Sequence, residues 1–338
     1  MMDVTCKGSS IMHNTRKVAL IGSGELGSRH LQALAKIDLP VEIQVVDPSH
    51  EALKIAKERF DQISPNLNVR RISFFNSLDD LHSEIDYCIV ATNSDVRARV
   101  TKELLLKKAV QCLILEKILF QTEDDYEAIG KLIEKYKVKT WVNCPRRIWP
   151  VYKGIHDYLK GVHLFEINIS GSDWGLASNS IHMIDLIGYL AGATDYNING
   201  DLLDSGFIES KRKGFIEFTG TLAGSFNATP YFSISSYKDG KVPLMIQLIS
   251  EKYVYMISES LGRGWIFRED KGWSCEEFSF ETPYQSQLTH RLIRQIIDTG
   301  ASDLPSFEES AKLHIPILNC FISFLIREGK GGDRCPIT

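Results

Sequence analysis

Residues 16–47 read RKVALIGSGELGSRHLQALAKIDLPVEIQVVD, and this stretch decides the fold. RKVALIG is a short apolar run rich in β-formers, so it predicts a buried strand. A glycine-rich turn follows, Gly22-x-Gly24-x-x-Gly27, and then the helical pattern GSRHLQALAKI. EIQVVD is a second apolar run and closes on Asp47, twenty residues after Gly27. A Gly-x-Gly-x-x-Gly turn alone is a weak signal, but between a strand and a helix it has a mechanism. Gly22 allows the tight turn, Gly24 lets the backbone approach a pyrophosphate, and Gly27 lets helix and strand pack closely. The backbone of Glu25 and Leu26 then opens a helix whose unpaired N–H groups face a diphosphate. Asp47 is placed to accept from ribose hydroxyls and to repel a 2′-phosphate, which favours NAD over NADP.

Outward from there the alternation continues. Apolar runs RRISFF, DYCIVAT, AVQCLILEK and VKTWVNC are separated by the helical patterns HEALKIAKERFDQI, VRARVTKELLLKK and DDYEAIGKLIEKYK. Such spacing predicts βαβ units and a doubly wound parallel sheet. After about Cys144 the pattern changes. HLFEINIS reads as a strand and SNSIHMIDLIGYLAG as a helix ended by Gly192. GFIEFTG, LAGSFNAT, YFSISSY, PLMIQLIS, KYVYMIS, GWIFRED and CEEFSFE then follow closely, which predicts an antiparallel sheet. Two helices close the chain, the second capped by Ser306 with Glu309 three residues on. The expected fold is thus α/β, with an N-terminal doubly wound parallel sheet of the Rossmann type and a C-terminal α+β domain on a large open antiparallel sheet. The expected divisions are a flexible tail at 1–15, a nucleotide domain at 16–144, a substrate and dimerisation domain at 145–327, and an extended tail at 328–338.

Composition excludes several classes. The 338 residues are 43% hydrophobic and 24% charged, which suits a globular chain of two domains. A net charge of −4 without basic runs argues against nucleic acid and anionic membranes as partners. No apolar stretch is read as approaching the ~20 residues of a bilayer span, and the start lacks the apolar core of a signal peptide. Seven cysteines scattered singly point to reduced thiols and a cytoplasmic location rather than to disulfides or zinc. No metal site is expected.

Candidate polar residues cluster where strands and helices end. Lys117 lies at the end of the fifth apolar run, where open α/β sheets bind ligands, and its ammonium suits a forming alkoxide. Glu116 beside it could hold Lys117 or a nicotinamide ribose. His182 follows a polar run at the start of an apolar helix, and imidazole suits proton exchange near neutral pH. Asp185, three residues later, shares its face. Arg146 and Arg147, after Pro145, suit a carboxylate or phosphate on a substrate. Trp174 could stack on a sugar face.

These motifs together resemble the glucose-fructose oxidoreductase/inositol dehydrogenase family (Gfo/Idh/MocA) over roughly residues 16–327. The resemblance is carried by the Gly22–Gly27 turn, the Glu116-Lys117 pair, the helix bearing His182 and the stretch Leu304-Pro305-Ser306-x-Glu308-Glu309-Ser310-Ala311. It implies an NAD-dependent oxidoreductase acting on CH–OH groups of a small carbohydrate-type substrate. Lys117 and His182 would be catalytic. Gly22, Gly24, Glu25, Leu26, Gly27, Asp47, Thr92, Asn93, Glu116 and Lys117 would hold the cofactor, and Arg146, Arg147, Trp174 and Asp185 the substrate. It also implies a homodimer or homotetramer formed through the C-terminal sheet.

The chain departs from the family pattern at Ile118, where proline is usual, at Ser178, where aspartate is usual, and in Ala91-Thr92-Asn93-Ser94-Asp95-Val96-Arg97, which lacks the usual proline and histidine. The terminal Cys335-Pro336-Ile337-Thr338 resembles a branch associated with surface-polysaccharide and nonulosonic-acid gene clusters. A nucleotide sugar or nonulosonic-acid derivative is therefore the favoured substrate. The alternatives are a non-enzymatic NAD(H)-binding sensor or scaffold, and an NAD-retaining epimerase or dehydratase.

Overall fold

The computed structural model describes residues 15–338. All of the expected flexible tail except Thr15 lies outside the described residues. Six strands make the first sheet: β1 (Arg16–Ile21), β2 (Val41–Val46), β3 (Val69–Phe75), β4 (Glu84–Val90), β5 (Ala109–Leu115) and β6 (Lys139–Val142). All are parallel, in the order β3-β2-β1-β4-β5-β6. Helices α1 (Glu25–Leu34), α2 (His50–Asp61), α3 (Ser94–Lys107) and α4 (Glu123–Tyr136) lie between them. The central strands are apolar runs because helices cover both faces of the sheet. The strand order reverses at β1, whose neighbours are β2 and β4, so a crevice opens at the carboxyl end of β1. Gly22 stands at that point.

The second half begins with α5 (Pro150–Leu159), which the sequence reading leaves unassigned although Pro150 is a good first helical residue. β7 (Leu164–Ser172), α6 (Leu176–Ala191) and β8 (Tyr196–Leu203) follow, with Gly192 ending α6 in the left-handed conformation at φ 65°. β8 escapes the sequence reading because Asn197, Asn199, Gly200 and Asp201 break its apolar alternation. A small hairpin of β9 (Ile208–Glu209) and β10 (Ile216–Glu217) stands apart from the large sheet. GFIEFTG therefore supplies only the two-residue β10 to this separate hairpin, bounded by Gly214 and Gly220 at φ 87° and 98°, where the expected reading makes it a strand of the large sheet.

The large sheet is completed by β11 (Gly220–Phe226), β12 (Tyr231–Tyr237), β13 (Met245–Ser250), β14 (Tyr253–Ser258), β15 (Arg263–Arg268) and β16 (Cys275–Ser279). Its order is β16-β15-β14-β13-β7-β12-β11-β8. Every pair is antiparallel except β7 with β12, which run parallel and are separated in sequence by α6, β8, β9, β10 and β11. One face packs on helices, while Phe165, Tyr231 and Met256 are exposed on strands of this sheet.

Two C-terminal helices, α7 (Thr289–Thr299) and α8 (Phe307–Arg327), close the fold, and the Ser306 hydroxyl caps α8 by accepting from Glu309 N at 3.1 Å. α8 is long and apolar enough by length and composition to cross a membrane, contrary to the sequence reading. Its apolar character serves packing: Leu313, Ile317, Phe321 and Leu325 are buried in the core shared with α6 and the sheet. The C-terminal stretch is also more than an extended tail. Cys335, Ile337 and Thr338 are buried. Cys335 N donates to Gln121 O, Ser94 Oγ to Ile337 O, and Ile216 N to Pro336 O, so the segment ties the first sheet's loops to the β9–β10 hairpin.

Candidate active site

The glycine turn is built by close contacts. A Cβ at Gly27 would sit 1.9 Å from Gly22 O, and one at Gly22 would sit 2.8 Å from Thr92 N. A Cβ at Gly24 would meet nothing within 4 Å, so open space lies over the first turn of α1. The N–H groups of that turn have no intrahelical acceptor. Ser23 Oγ and Thr92 Oγ1 flank the turn, buried and without a partner among the described residues. The Glu25 carboxylate is drawn away to Arg59 at 2.7 Å and Arg29 at 3.3 Å, which hold it below its usual range and leave the backbone of Glu25 and Leu26 clear. Asp47 accepts from Ser23 N at 2.7 Å and Ser49 N at 2.9 Å, one bond on each oxygen. Each oxygen keeps a second lone pair for a ribose hydroxyl. The exposed Asn93 opens α3 beside this groove. These features fit a dinucleotide diphosphate on α1 and an adenosine ribose on Asp47.

Glu116 and Lys117 diverge. Glu116 is 2% exposed and takes His30 Nε2 at 2.8 Å, together with Asn143 Nδ2. His30 Nδ1 meets Thr289 Oγ1 at 2.8 Å, and Gln285 joins Asn143 and Thr289 at 2.9 and 3.0 Å. Burial raises the Glu116 carboxyl, but the His30 bond and charge and the Asn143 bond overcome that and hold it below its usual range. Its carboxylate therefore braces α1 against the segment before α7. The sequence reading gives it to a ribose or to Lys117, and misses the bracing because the partners lie up to 259 positions apart.

Lys117 goes the other way, across a cis peptide to Ile118. Its Nζ donates to Ser178 O at 2.8 Å and approaches Asn179 Oδ1 at 3.4 Å. Ser178 lies one turn before His182 on α6. Burial lowers the Lys117 ammonium to about 8, Glu116 opposes that, and Arg212 and Arg97 add to it. His182 is half-buried, with Nδ1 buried and unpartnered. Burial, then the charges of Lys117, Arg146 and His314, pull the imidazole well below its ordinary range, so it is neutral at pH 7.

A carboxylate missed by the sequence reading supports this helix end. Glu217 Oε2 accepts from Ala177 N at 2.8 Å and Ser178 N at 3.3 Å. The signal was present, a lone acid within the apolar run Phe215–Phe218. Glu217 thus brings a negative charge to the turn where Ser178 replaces the acid usual in the family the sequence resembles.

The residues expected at the substrate are largely engaged elsewhere. Arg147 and Asp185 are 5% and 0% exposed and paired at 2.8 Å, with Glu309 on Arg147 at 2.6 Å. A buried guanidinium needs such partners, so these two close an interior ion pair instead of facing a ligand. Arg146 holds Glu259 with two bonds, at 2.7 and 2.6 Å, and lies over the Trp149 ring. Trp174 is half-buried, its indole N–H on Ser235 O at 2.9 Å. Arg97, at the position where histidine is usual in that family, is 2% exposed and donates to Thr92 O, Ile118 O and Leu119 O. It holds the Lys117 loop against the Thr92 loop. Among the described residues no group of three or more His, Cys, Asp or Glu is placed to hold a metal. A cavity of about 800 Å³ lies between α5, α7 and β14–β16, and its lining includes none of the candidate site residues.

Residues 16–144 match the family described as an oxidoreductase family with an NAD-binding Rossmann fold, Gfo/Idh/MocA. No curated protein matches the chain. Among solved structures it is similar to an Agrobacterium radiobacter oxidoreductase in complex with NAD+, L-tartaric acid and magnesium, at 14% identity and TM-score 0.72, over 92% of this chain and 96% of that one. UDP-N-acetylglucosamine 3-dehydrogenase GnnA from Acidithiobacillus ferrooxidans aligns at 14% identity and TM-score 0.70, over 91% and 97%. A super-repressor mutant of Gal80p from Saccharomyces cerevisiae aligns at 15% identity and TM-score 0.72, over 93% and 97%. At these identities the likeness is one of fold, and the fold is shared by dehydrogenases and a regulator. Residues 16–144 thus carry the NAD-binding Rossmann fold of the Gfo/Idh/MocA oxidoreductase family.

Proposed function

We propose that the protein is an NAD-dependent oxidoreductase that interconverts an alcohol and a carbonyl on a carbohydrate-type substrate, with Lys117 and His182 as its polar pair. The observation that carries this reading is the seating of Lys117 Nζ on Ser178 O, one helical turn from a neutral His182 with a free, buried Nδ1. NAD, when bound, supplies the hydride acceptor or donor. A neutral imidazole can take the hydroxyl proton as an alcohol is oxidised. The Lys117 ammonium stabilises the oxygen as it gains negative charge. The ammonium form of Lys117 prevails below about pH 8 and stabilises the same oxygen in both directions, while the proton returns from His182 when the carbonyl is reduced. Arg97 and Glu217 hold the two loops that set this distance.

A role in surface-glycan biosynthesis and assembly through the outer face of the large sheet belong to the same reading. The exposed Phe165, Tyr231 and Met256 support the assembly.

The test is to follow the reduced-nicotinamide absorbance while the protein is offered sugars, sugar phosphates and nucleotide sugars, with product analysis of each mixture. The expected result is a substrate-dependent change that Lys117→Ala abolishes while NADH still binds. Products changed without net cofactor change would assign an epimerase or dehydratase. Tight NADH binding with no product from any substrate would favour a sensor or scaffold.

A further inference from the structure

The arginines expected to meet an anionic substrate, Arg146 and Arg147, are closed into ion pairs. A different set of cations stands beside the site and is open. The β9–β10 hairpin turns through Lys211, Arg212 and Lys213, all exposed. Its turn is closed by Ser210 N on Phe215 O at 2.9 Å, and Gly214 supplies the left-handed residue at φ 87°.

The base of the hairpin is fixed on the site. Phe215 and Glu217 are buried, and Ile216 N donates to Pro336 O at 3.0 Å. Glu217 binds the first N–H groups of α6, the same turn on which Lys117 rests. Lys211 Nζ lies 3.7 Å from Asp173, in the loop that opens α6. Arg212 and Lys213 have no acidic partner within ion-pair distance among the described residues, and Glu209 at the hairpin's base is exposed. The Lys211–Asp173 contact and the bonds of Glu217 to Ala177 N and Ser178 N thus set the hairpin beside the turn on which Lys117 rests.

We infer that this hairpin is an anion-binding arm, in which Arg212 and Lys213, with Lys211 beside them, receive a phosphate or diphosphate group carried by the substrate. A guanidinium fork between two ammonium groups matches several phosphoryl oxygens at once. The inference rests on the oxidoreductase reading above and narrows its substrate to phosphorylated carbohydrates, such as sugar phosphates or nucleotide sugars. The adenosine-binding Asp47 lies at the end of β2, on the other side of the glycine turn, so the arm serves the substrate rather than the cofactor.

The test titrates inorganic pyrophosphate into the full chain saturated with NADH, so that the glycine turn is filled. We expect one-to-one binding that weakens at least tenfold in the Arg212→Ser/Lys213→Ser double variant. Arg212→Lys/Lys213→Arg should stay within threefold of wild type, and added salt should weaken the wild type but hardly the double serine variant. Both variants should melt with wild type, since the substituted side chains are exposed. Absence of saturable binding, equal binding by the double serine variant, or binding of glucuronate in place of pyrophosphate each overturns the inference. NADH binding is read in the same samples by nicotinamide fluorescence. Its loss would sink the cofactor reading, whereas intact NADH binding without pyrophosphate binding sinks only the arm.

Discussion

Two clusters of polar side chains meet at the end of β5 and are organised in opposite ways. On one side Glu116, His30, Asn143, Gln285 and Thr289 bond one another within the interior, and the nearby Arg147–Asp185–Glu309 set forms buried ion pairs, with Asn143 Oδ1, Arg147 Nη2 and Asp185 Oδ1 of these groups left unpartnered among the described residues. On the other side Lys117 rests on a helix carbonyl, His182 keeps a free buried nitrogen, and the hairpin's Arg212 and Lys213 have no acidic partner among the described residues. A buried charge is tolerated when an opposite charge or a hydrogen bond holds it, and removing one partner strands the other. Groups left incomplete at the mouth of a crevice are the ones positioned for a ligand. Neighbours in sequence, Glu116 and Lys117, fall on opposite sides of this division.

The division predicts that the closed cluster governs stability and the open one governs turnover. The largest effect belongs to Arg147→Ala, which strands the Asp185 carboxylate in the interior. It should cost about 3–5 kcal/mol of unfolding free energy, read from urea denaturation. A loss below about 1 kcal/mol would mean that the pair is solvated after all.

Lys117→Ala comes next. Turnover should fall by about 3 kcal/mol of barrier, of the order of a hundredfold or more, with NADH affinity and melting temperature near wild type. A variant that melts early with unimpaired turnover would move Lys117 into the structural cluster.

Glu217→Ala should have a mixed and smaller effect. Removing a carboxylate from two helix N–H groups lowers stability by about 1 kcal/mol in thermal melts. It also loosens the turn that seats Lys117, so turnover falls with it.

The smallest effect is a pH dependence. The ammonium form of Lys117 prevails below about 8, so carbonyl reduction should decline as pH rises through that value. His182 is already neutral, so no second limb is expected near pH 6.5. A limb there in kcat/KM would show that the imidazole titrates in its ordinary range.

The first sheet and its glycine turn were legible because they are local. Strand, turn, helix and Asp47 fall within 32 residues, and each has a period or a steric reason visible in the sequence. Lys117 was legible as a strand-end cation, and His182 as a polar start to an apolar helix. The pairing of Arg147 with Asp185 was not, since partners 38 residues apart meet only after β6 and α6 pack. Arg97 was legible only as an altered motif position, and three carbonyls of two loops draw it inside. Glu217 was visible as an acid among aromatics, but its target at α6 lies 40 residues away. Sequence patterns report which residues lie at an element's end. They do not report which side chain already has a partner, and that distinction separates brace from site in this molecule.

The most direct test of the central claim is a crystal structure of the NADH complex. The account predicts a diphosphate on the first N–H groups of α1, a ribose on Asp47, and a nicotinamide ring facing Lys117 Nζ and His182. A ring bound on the far side of the sheet, or in the cavity between α5 and α7, would contradict it.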